Sequence, residues 1–402
     1  MIADQSLATE KFQSERVSTI ALGHAVHDTY SAFLPSLLPL LIQRYALSKT
    51  EAGVLSFLTQ APSILQPFIG YLGDRVGLRP LLFLGPAITA TMMSLVGVAP
   101  TYPTAMILLL VVGLSSAGFH AIGPAIAGRL SAYRLGLGMS LWMAAGELGR
   151  TLGPLIVVIA IQGLGIRRLP WLMIVGILVS LAVYWSLRNV STLPDHPPEP
   201  LPWKRAWALL RPVLIPVSAL LVTRALAQVA FSTFLPTFLT EEGATLWLAG
   251  GSLTIMEFAG IGGAFLGGSL SDRLGRKPVL LAAGLGTSVF AFAFLTTSQL
   301  VLRLITLLGL GATMLSMTPI LMALIQDHYP EQRALANGAF MAVNFVVGSL
   351  AMLGVGWLGD HLGLYTAFFL SAGVLTLGLP IILALPNGHS RAKVKENDSP
   401  IG

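Results

Sequence analysis

The stretch Gly70-Tyr71-Leu72-Gly73-Asp74-Arg75-Val76-Gly77-Leu78-Arg79 decides how this chain is read, because nearly half a chain later it returns as Gly268-Ser269-Leu270-Ser271-Asp272-Arg273-Leu274-Gly275-Arg276-Lys277. In each copy a glycine stands four positions before an Asp-Arg pair, a second glycine just after the pair lets the chain turn, and basic residues follow. Both copies lie between long apolar segments. A polar loop that recurs at half the chain length predicts two related halves rather than one irregular bundle.

Working outward, the flanking composition is that of a membrane protein. Of 402 residues only 10% are charged and 54% are hydrophobic, and the mean hydropathy is +0.77, whereas soluble domains carry roughly a quarter charged residues. Apolar runs at residues 17–42, 50–71, 80–99, 104–128, 137–162, 170–190, 212–238, 246–270, 278–298, 301–325, 337–358 and 365–386 are each long enough to cross an apolar layer of ~30 Å as a helix. The expected fold is therefore all-α: about twelve transmembrane helices in two pseudo-symmetric six-helix bundles, residues 1–190 and 212–386. The first run is too long for a signal-peptide core, so the N-terminus is expected to be kept. Between the halves, residues 191–211 are Pro-rich and end in Trp203-Lys204-Arg205-Ala206-Trp207, which reads as a cytoplasmic linker with a short interfacial helix. Residues 387–402 read as a cytoplasmic tail.

Lys and Arg set the orientation. With both termini cytoplasmic, the inner side receives Arg75, Arg79, Arg129, Arg134, Arg188, Lys204, Arg205, Arg211, Arg273, Arg276, Lys277 and Arg333, and the outer side chiefly Arg44, Lys49, Arg167 and Arg168. The positive-inside rule favours this topology. The absence of cysteine excludes disulfides, thiolate metal sites and cysteine nucleophiles. A net charge of +6 without a long basic run or soluble domain is no nucleic-acid footprint. No Walker loop is present, and Gly260-Ile261-Gly262-Gly263 lies inside an apolar segment rather than on a strand-helix turn, so no enzyme, nucleotide engine or cofactor is expected.

The paired G-x-x-x-D-R-x-G-x-[RK] element, between the second and third helix of each half, resembles the signature of the major facilitator superfamily. Leu78 departs from it, standing where the pattern often has a base. A weaker third echo, Gly356-Trp357-Leu358-Gly359-Asp360-His361-Leu362-Gly363, lies between the last two helices. In the fifth helix Gly149-Arg150-Thr151-Leu152-Gly153-Pro154 is similar to the G-x-x-x-G-P core of the antiporter motif, although glycines at this spacing also serve close helix packing. Gly23-His24-Ala25-Val26-His27-Asp28 and Ser115-Ser116-Ala117-Gly118-Phe119-His120 resemble the fosmidomycin-resistance group of drug exporters. This resemblance implies alternating access about a central site lined by the first, fourth, seventh and tenth helices, in a monomer of the bacterial inner membrane. It implies gating roles for Asp74, Arg75, Arg79, Asp272, Arg273, Arg276 and Lys277, with the motif acid engaging a neighbouring helix end, and for Gly149, Gly153 and Pro154.

A charge at the centre of a membrane helix costs ~2.5 to 3.5 kcal/mol on insertion scales, so intramembrane ionisable residues are functional candidates. His24, His27, Asp28 and Ser31 fall within an arc of about 100° on the first helix. Asp28 is the expected proton carrier, with Glu257 in the eighth helix and Glu147 in the fifth as further coupling candidates; the alternative for Asp28 is a permanent hydrogen bond to His24 or the backbone. Glu147 and Arg150, three apart, can also neutralise each other. Substrate contacts are expected from His24, His27, His120 and Arg150, and from Arg224 with Gln228 one turn on, whose guanidinium fork suits a carboxylate, phosphate or phosphonate. Phe33, Phe231, Phe234 and Phe340 are candidates for an apolar substrate surface, with lipid-facing or packed Phe as the default. His24 and His27 lack a thiolate partner, and no metal site is expected.

The function expected from this is a proton-coupled antiporter exporting small drug-like or anionic organic molecules. The alternatives are an importer of a sugar or organic acid, and a non-transporting membrane receptor on the same fold.

Overall fold

A computed structural model describes residues 12–190, 203–329 and 333–385, without the side chains of residues 74, 133, 135, 136, 203, 333 and 334. Most of the linker and the tail expected from residue 387 onward lie outside the described residues.

Helices account for the ordered chain. The first span is α1, Ser14–Ser31, continued after a short break by α2, Leu34–Tyr45. The break falls where Pro35 and Pro39 remove backbone donors. The second span is α3, Lys49–Gln60, and α4, Gln66–Val76, separated by a 3-10 turn that carries Pro62 and precedes Pro67. Next come α5 (Arg79–Val96), α6 (Tyr102–Leu130), α7 (Leu135–Leu164) and α8 (Met173–Leu187). The seventh span is α9, Trp203–Val229, a π-helical turn at Ala230–Phe234, and α10, Leu235–Glu241. It is followed by α11 (Leu246–Leu274), α12 (Arg276–Thr296), α13 (Leu300–His328) and α14 (Arg333–Leu362), and the last span is α15 (Leu364–Thr376) with α16 (Gly378–Ala384).

Among the described residues, 10 segments are long and apolar enough to cross a membrane. They are the third to twelfth spans of the sequence reading. The first two spans are missing from that count because each is divided into helices of 18 residues or fewer, with polar groups inside them.

Local chemistry fixes the ends. Ser48 caps α3, accepting from the Glu51 N–H at 3.1 Å while the Glu51 carboxylate accepts from the Ser48 N–H at 2.8 Å. In all three copies of the repeated element the glycine after the acidic pair has positive φ: 68° at Gly77, 95° at Gly275 and 80° at Gly363. A side chain is disfavoured there, which is the reason this position of the repeat is glycine.

Contacts divide the described chain into two units. One is built from residues before 199 with 229–254 and 348–367; the other from 200–228, 255–347 and residues after 368. In the first, Val17, Ile20, Leu82, Phe119, Ile126, Trp142 and Val183 form an apolar core. In the second, Val217, Leu220, Leu280, Ile320, Leu324 and Phe340 do so. Apolar side chains also cover the outside, among them Ile107, Trp185, Phe258, Phe265 and Leu383. Such a surface is at rest only against lipid.

Candidate functional site

The first unit gathers four ionisable side chains on α1 and α6. His24, His27 and Asp28 are buried, and His120 of α6 keeps 28% exposure, so it forms the open edge of the group. One turn of helix places His24 and Asp28 on the same face, with His24 Nε2 3.3 Å from Asp28 Oδ2. His120 enters from the facing helix, its Nε2 3.3 Å from Asp28 Oδ1 and 3.2 Å from His24 Nε2.

The protons on the two rings are fixed by what lies behind them. His24 Nδ1 is 2.8 Å from the Trp142 carbonyl oxygen, and His120 Nδ1 is 3.0 Å from the Ser116 carbonyl oxygen. A carbonyl only accepts, so each Nδ1 carries the hydrogen and each neutral ring turns an Nε2 lone pair towards Asp28. Two imidazole lone pairs and one carboxylate therefore converge within hydrogen-bond distance. All three are acceptors, and a cation or a proton among them turns mutual repulsion into charge-assisted hydrogen bonds.

Aromatic packing holds this geometry. The His24 ring stacks on Trp142 with centroids 3.8 Å apart, and His27 stacks on Phe119 at 4.5 Å. His27 does not face open space as a substrate contact would. It is fully buried, its Nδ1–H donates to Asp28 Oδ1 at 3.0 Å, and its Nε2 has no hydrogen-bond partner. Its role in this geometry is to orient the carboxylate.

The fifth span, α7, supplies the back wall through three glycines. A Cβ at Gly146 would stand 2.4 Å from the His24 ring, one at Gly149 2.2 Å from the Ala25 carbonyl oxygen, and one at Gly153 2.4 Å from the Thr29 carbonyl oxygen. Gly149 and Gly153, with Pro154 in the same helix, thus form the surface on which α1 rests, and Gly146 makes room for the imidazole. Glu147 and Arg150 form an ion pair with each other on this helix.

The second unit holds a cation. Arg224 of α9 is buried, and its Nη2 donates to Gln228 Oε1 and to Thr318 Oγ1 of α13, both at 2.9 Å. Its Nη1 has no hydrogen-bond partner, and among the described residues no carboxylate lies within ion-pair distance. This guanidinium is held only by neutral oxygens, and its charge is not balanced by a neighbouring acid. Gln228 and Arg224 sit just ahead of the π-helical turn at Ala230–Phe234, a departure from regular helix that recurs at functional sites. Glu257 lies partly buried in the middle of α11. Phe33, Phe231, Phe234 and Phe340 are all fully buried in packing, the default reading of such residues.

At the motif loops, Arg276 bridges two acids: Nη1 to Asp272 Oδ1 at 2.6 Å and Nε to Asp327 Oδ2, at the end of α13, at 2.9 Å. Lys277 donates to the Leu383 carbonyl at 3.2 Å, and Arg273 is exposed. In the first copy Arg75 lies over the Tyr71 ring at 3.7 Å, and Arg79 donates to the carbonyls of Arg188 and Val190 at 3.1 and 2.9 Å. The Asp74 side chain lies outside the described residues.

Sequence reading missed Trp142, Phe119, Gly146 and Asp360. The first three carry no signal of their own, since their role depends on what α7 and α6 bring beside α1. Asp360 did carry one, in the third echo: its carboxylate accepts from the backbone of Lys49 and Thr50 at the start of α3.

Comparison with known proteins agrees with this architecture. The chain is 24% identical over 386 residues to the fosmidomycin resistance protein of Escherichia coli (strain K12), 93% of each chain being covered. It is 26% identical over 357 residues to a probable 4-methylmuconolactone transporter of Cupriavidus pinatubonensis, covering 82% of this chain and 80% of that one. A solved bacterial homologue of the human lysosomal transporter Spinster, inward-facing and occupied, shares the fold with a TM-score of 0.79 at 15% identity, over 97% of this chain and 99% of that one. The profile described as Major Facilitator Superfamily matches residues 20–352 and 254–400. With its apolar membrane-length helices, its paired Asp-Arg loops and this family match, the chain is a multi-pass membrane transporter of the major facilitator superfamily.

Proposed function

We propose that this transporter is a proton-coupled antiporter that exports small organic anions or amphiphilic drug-like molecules. The observation that carries the reading is the convergence of His24 Nε2, His120 Nε2 and the Asp28 carboxylate, three acceptors at 3.2 to 3.3 Å. A single proton delivered to this group is shared by three bases. His27 on the same helix donates to the Asp28 carboxylate, and α7, packed against α1, carries the Glu147-Arg150 pair, so a shift of these helices against one another alters the proton affinity of the group. Changing the access of the group from one side of the membrane to the other then loads the proton outside and releases it inside, driving substrate outward.

Arg224 supplies the complementary feature. Its Nη1, which has no hydrogen-bond partner, suits one oxygen of a carboxylate, phosphate or phosphonate, with Gln228 and Thr318 fixing the guanidinium plane. The names of two relatives, a fosmidomycin resistance protein and a probable 4-methylmuconolactone transporter, are in keeping with small organic substrates. In this reading the motif loops face the cytoplasm, as the basic residues require.

Expression in a drug-sensitive bacterial strain, with fosmidomycin as the first probe, tests export. Protection that is lost when the proton gradient is collapsed supports the reading; sensitisation would mean import. Counterflow in liposomes distinguishes either from a receptor, which exchanges nothing.

A further inference from the structure

The third copy of the repeated element closes the C-terminal end of its span as the first two do, but it follows an odd-numbered span, so the topology set by the basic loops puts it on the outer side, and its acid is engaged. Asp360 Oδ1 accepts from the Lys49 N–H at 2.6 Å, and Oδ2 accepts from the Thr50 N–H at 2.8 Å and from the Thr50 hydroxyl at 2.5 Å. Lys49 and Thr50 open α3, where backbone N–H groups lack helical partners and the helix dipole favours an anion. Beside this cap, Lys49 Nζ pairs with Glu241 Oε1, at the end of α10, at 2.7 Å. The backbones beneath are in contact: a Cβ at Gly356 would stand 2.4 Å from the Lys49 carbonyl oxygen, and one at Gly53 2.4 Å from the Met352 carbonyl oxygen. Residues from both sequence halves thus meet at the end of the second span remote from the Asp74 loop.

We propose that Asp360 is the catch of an outer latch, the counterpart of the inner motif loops, which holds the outer ends of the second, seventh and eleventh spans together and must let go for the outward-open state. Asp360 caps the N-terminus of the second span, at the end remote from the Asp74 loop. Carboxylate and helix end bind by charge and directed hydrogen bonds. Such a contact breaks as a unit, without exposing a large apolar area, which suits a joint made and broken in each cycle. The inference rests on alternating access and on the orientation set by the basic loops, and on neither the proton nor the substrate assignment.

The chain has no cysteine, so one reporter thiol reads the latch directly. Ser36 is fully buried on α2 and lies against Gly250 of α11, and Ser36→Cys is nearly isosteric. In right-side-out vesicles without substrate, its reaction with a membrane-impermeant maleimide is compared in three backgrounds: otherwise unaltered, Asp360→Ala, which deletes the catch, and Gly356→Ala, which wedges the same contact while leaving every charge in place. Both changes are expected to raise the labelling rate about tenfold, with Asp360→Asn between them and the parent. If Asp360→Ala does not yield folded protein, Thr50→Val, which removes the hydroxyl bond alone, is expected to shift the rate in the same direction by less. Rates within twofold of the parent in the folded variants, or a rise confined to one of the two lesions, overturn the latch. Because no substrate or gradient is present, a failure of proton-coupled export leaves this readout unchanged.

Discussion

At the scale of single residues, the account turns on hydrogen bonds that set which atoms are free. His24 and His120 each spend Nδ1–H on a backbone carbonyl, so what matters is the Nε2 lone pair. His120→Gln offers either an acceptor or a donor at a similar reach but no titration. The expected outcome is transport whose dependence on external pH is flattened while substrate affinity stays within about threefold; an unchanged pH profile would remove His120 from the proton site. Arg224→Lys keeps the charge but loses the fork. Affinity for an anionic ligand is expected to fall about tenfold, equivalent to 1.4 kcal/mol, with affinity for a neutral ligand unchanged, as read by ligand-dependent thermal stabilisation. An equal loss for both would mean that Arg224 supports the fold of α9 rather than the ligand. Asp28 and its helical neighbours were legible in the sequence because 3.6-residue periodicity alone places them on one face. That His120 completes the group, and that His27 turns inward against Phe119, depends on which helix packs beside α1, and periodicity carries no information about that.

At the scale of elements, glycine decides where helices approach. The G-x-x-x-G-P core of α7 admits both a packing and an export reading. The structure shows how it packs: Gly149 and Gly153 lie against the Ala25 and Thr29 backbone. Gly149→Ala introduces a methyl group where no flexible side chain can yield, and is expected to cost about 1 to 3 kcal/mol, seen as a lower Tm in detergent. Gly146→Ala instead meets the His24 imidazole, which can swing aside. It is expected to leave Tm within a few degrees and to impair proton coupling, the reverse balance from Gly149→Ala. Twelve helical segments were foreseen from apolar runs, and the divisions within the first, second, seventh and last spans were not. Proline marks the first two, but the π-helical turn at Ala230–Phe234 has no composition that separates it from ordinary helix.

At the scale of the molecule, the repeated Asp-Arg loops point to the major facilitator superfamily, and the family match over residues 20–352 and 254–400 agrees. In the second copy Arg276 ties Asp272 to Asp327 of α13. Asp327→Asn is expected to loosen the inner end of the second unit, raising proteolysis at the neighbouring loop without altering ligand affinity. The chemistry is assigned instead to two buried groups, a proton site on α1 and α6 and an anion site on α9. The most direct test of that assignment is proton movement in proteoliposomes loaded with a pH-sensitive dye. On addition of a transported substrate, the unaltered protein is expected to move protons against the substrate flux. Asp28→Asn is expected to bind the substrate and move none; if Asp28→Asn moves as many protons per substrate as the unaltered protein, the central claim is contradicted.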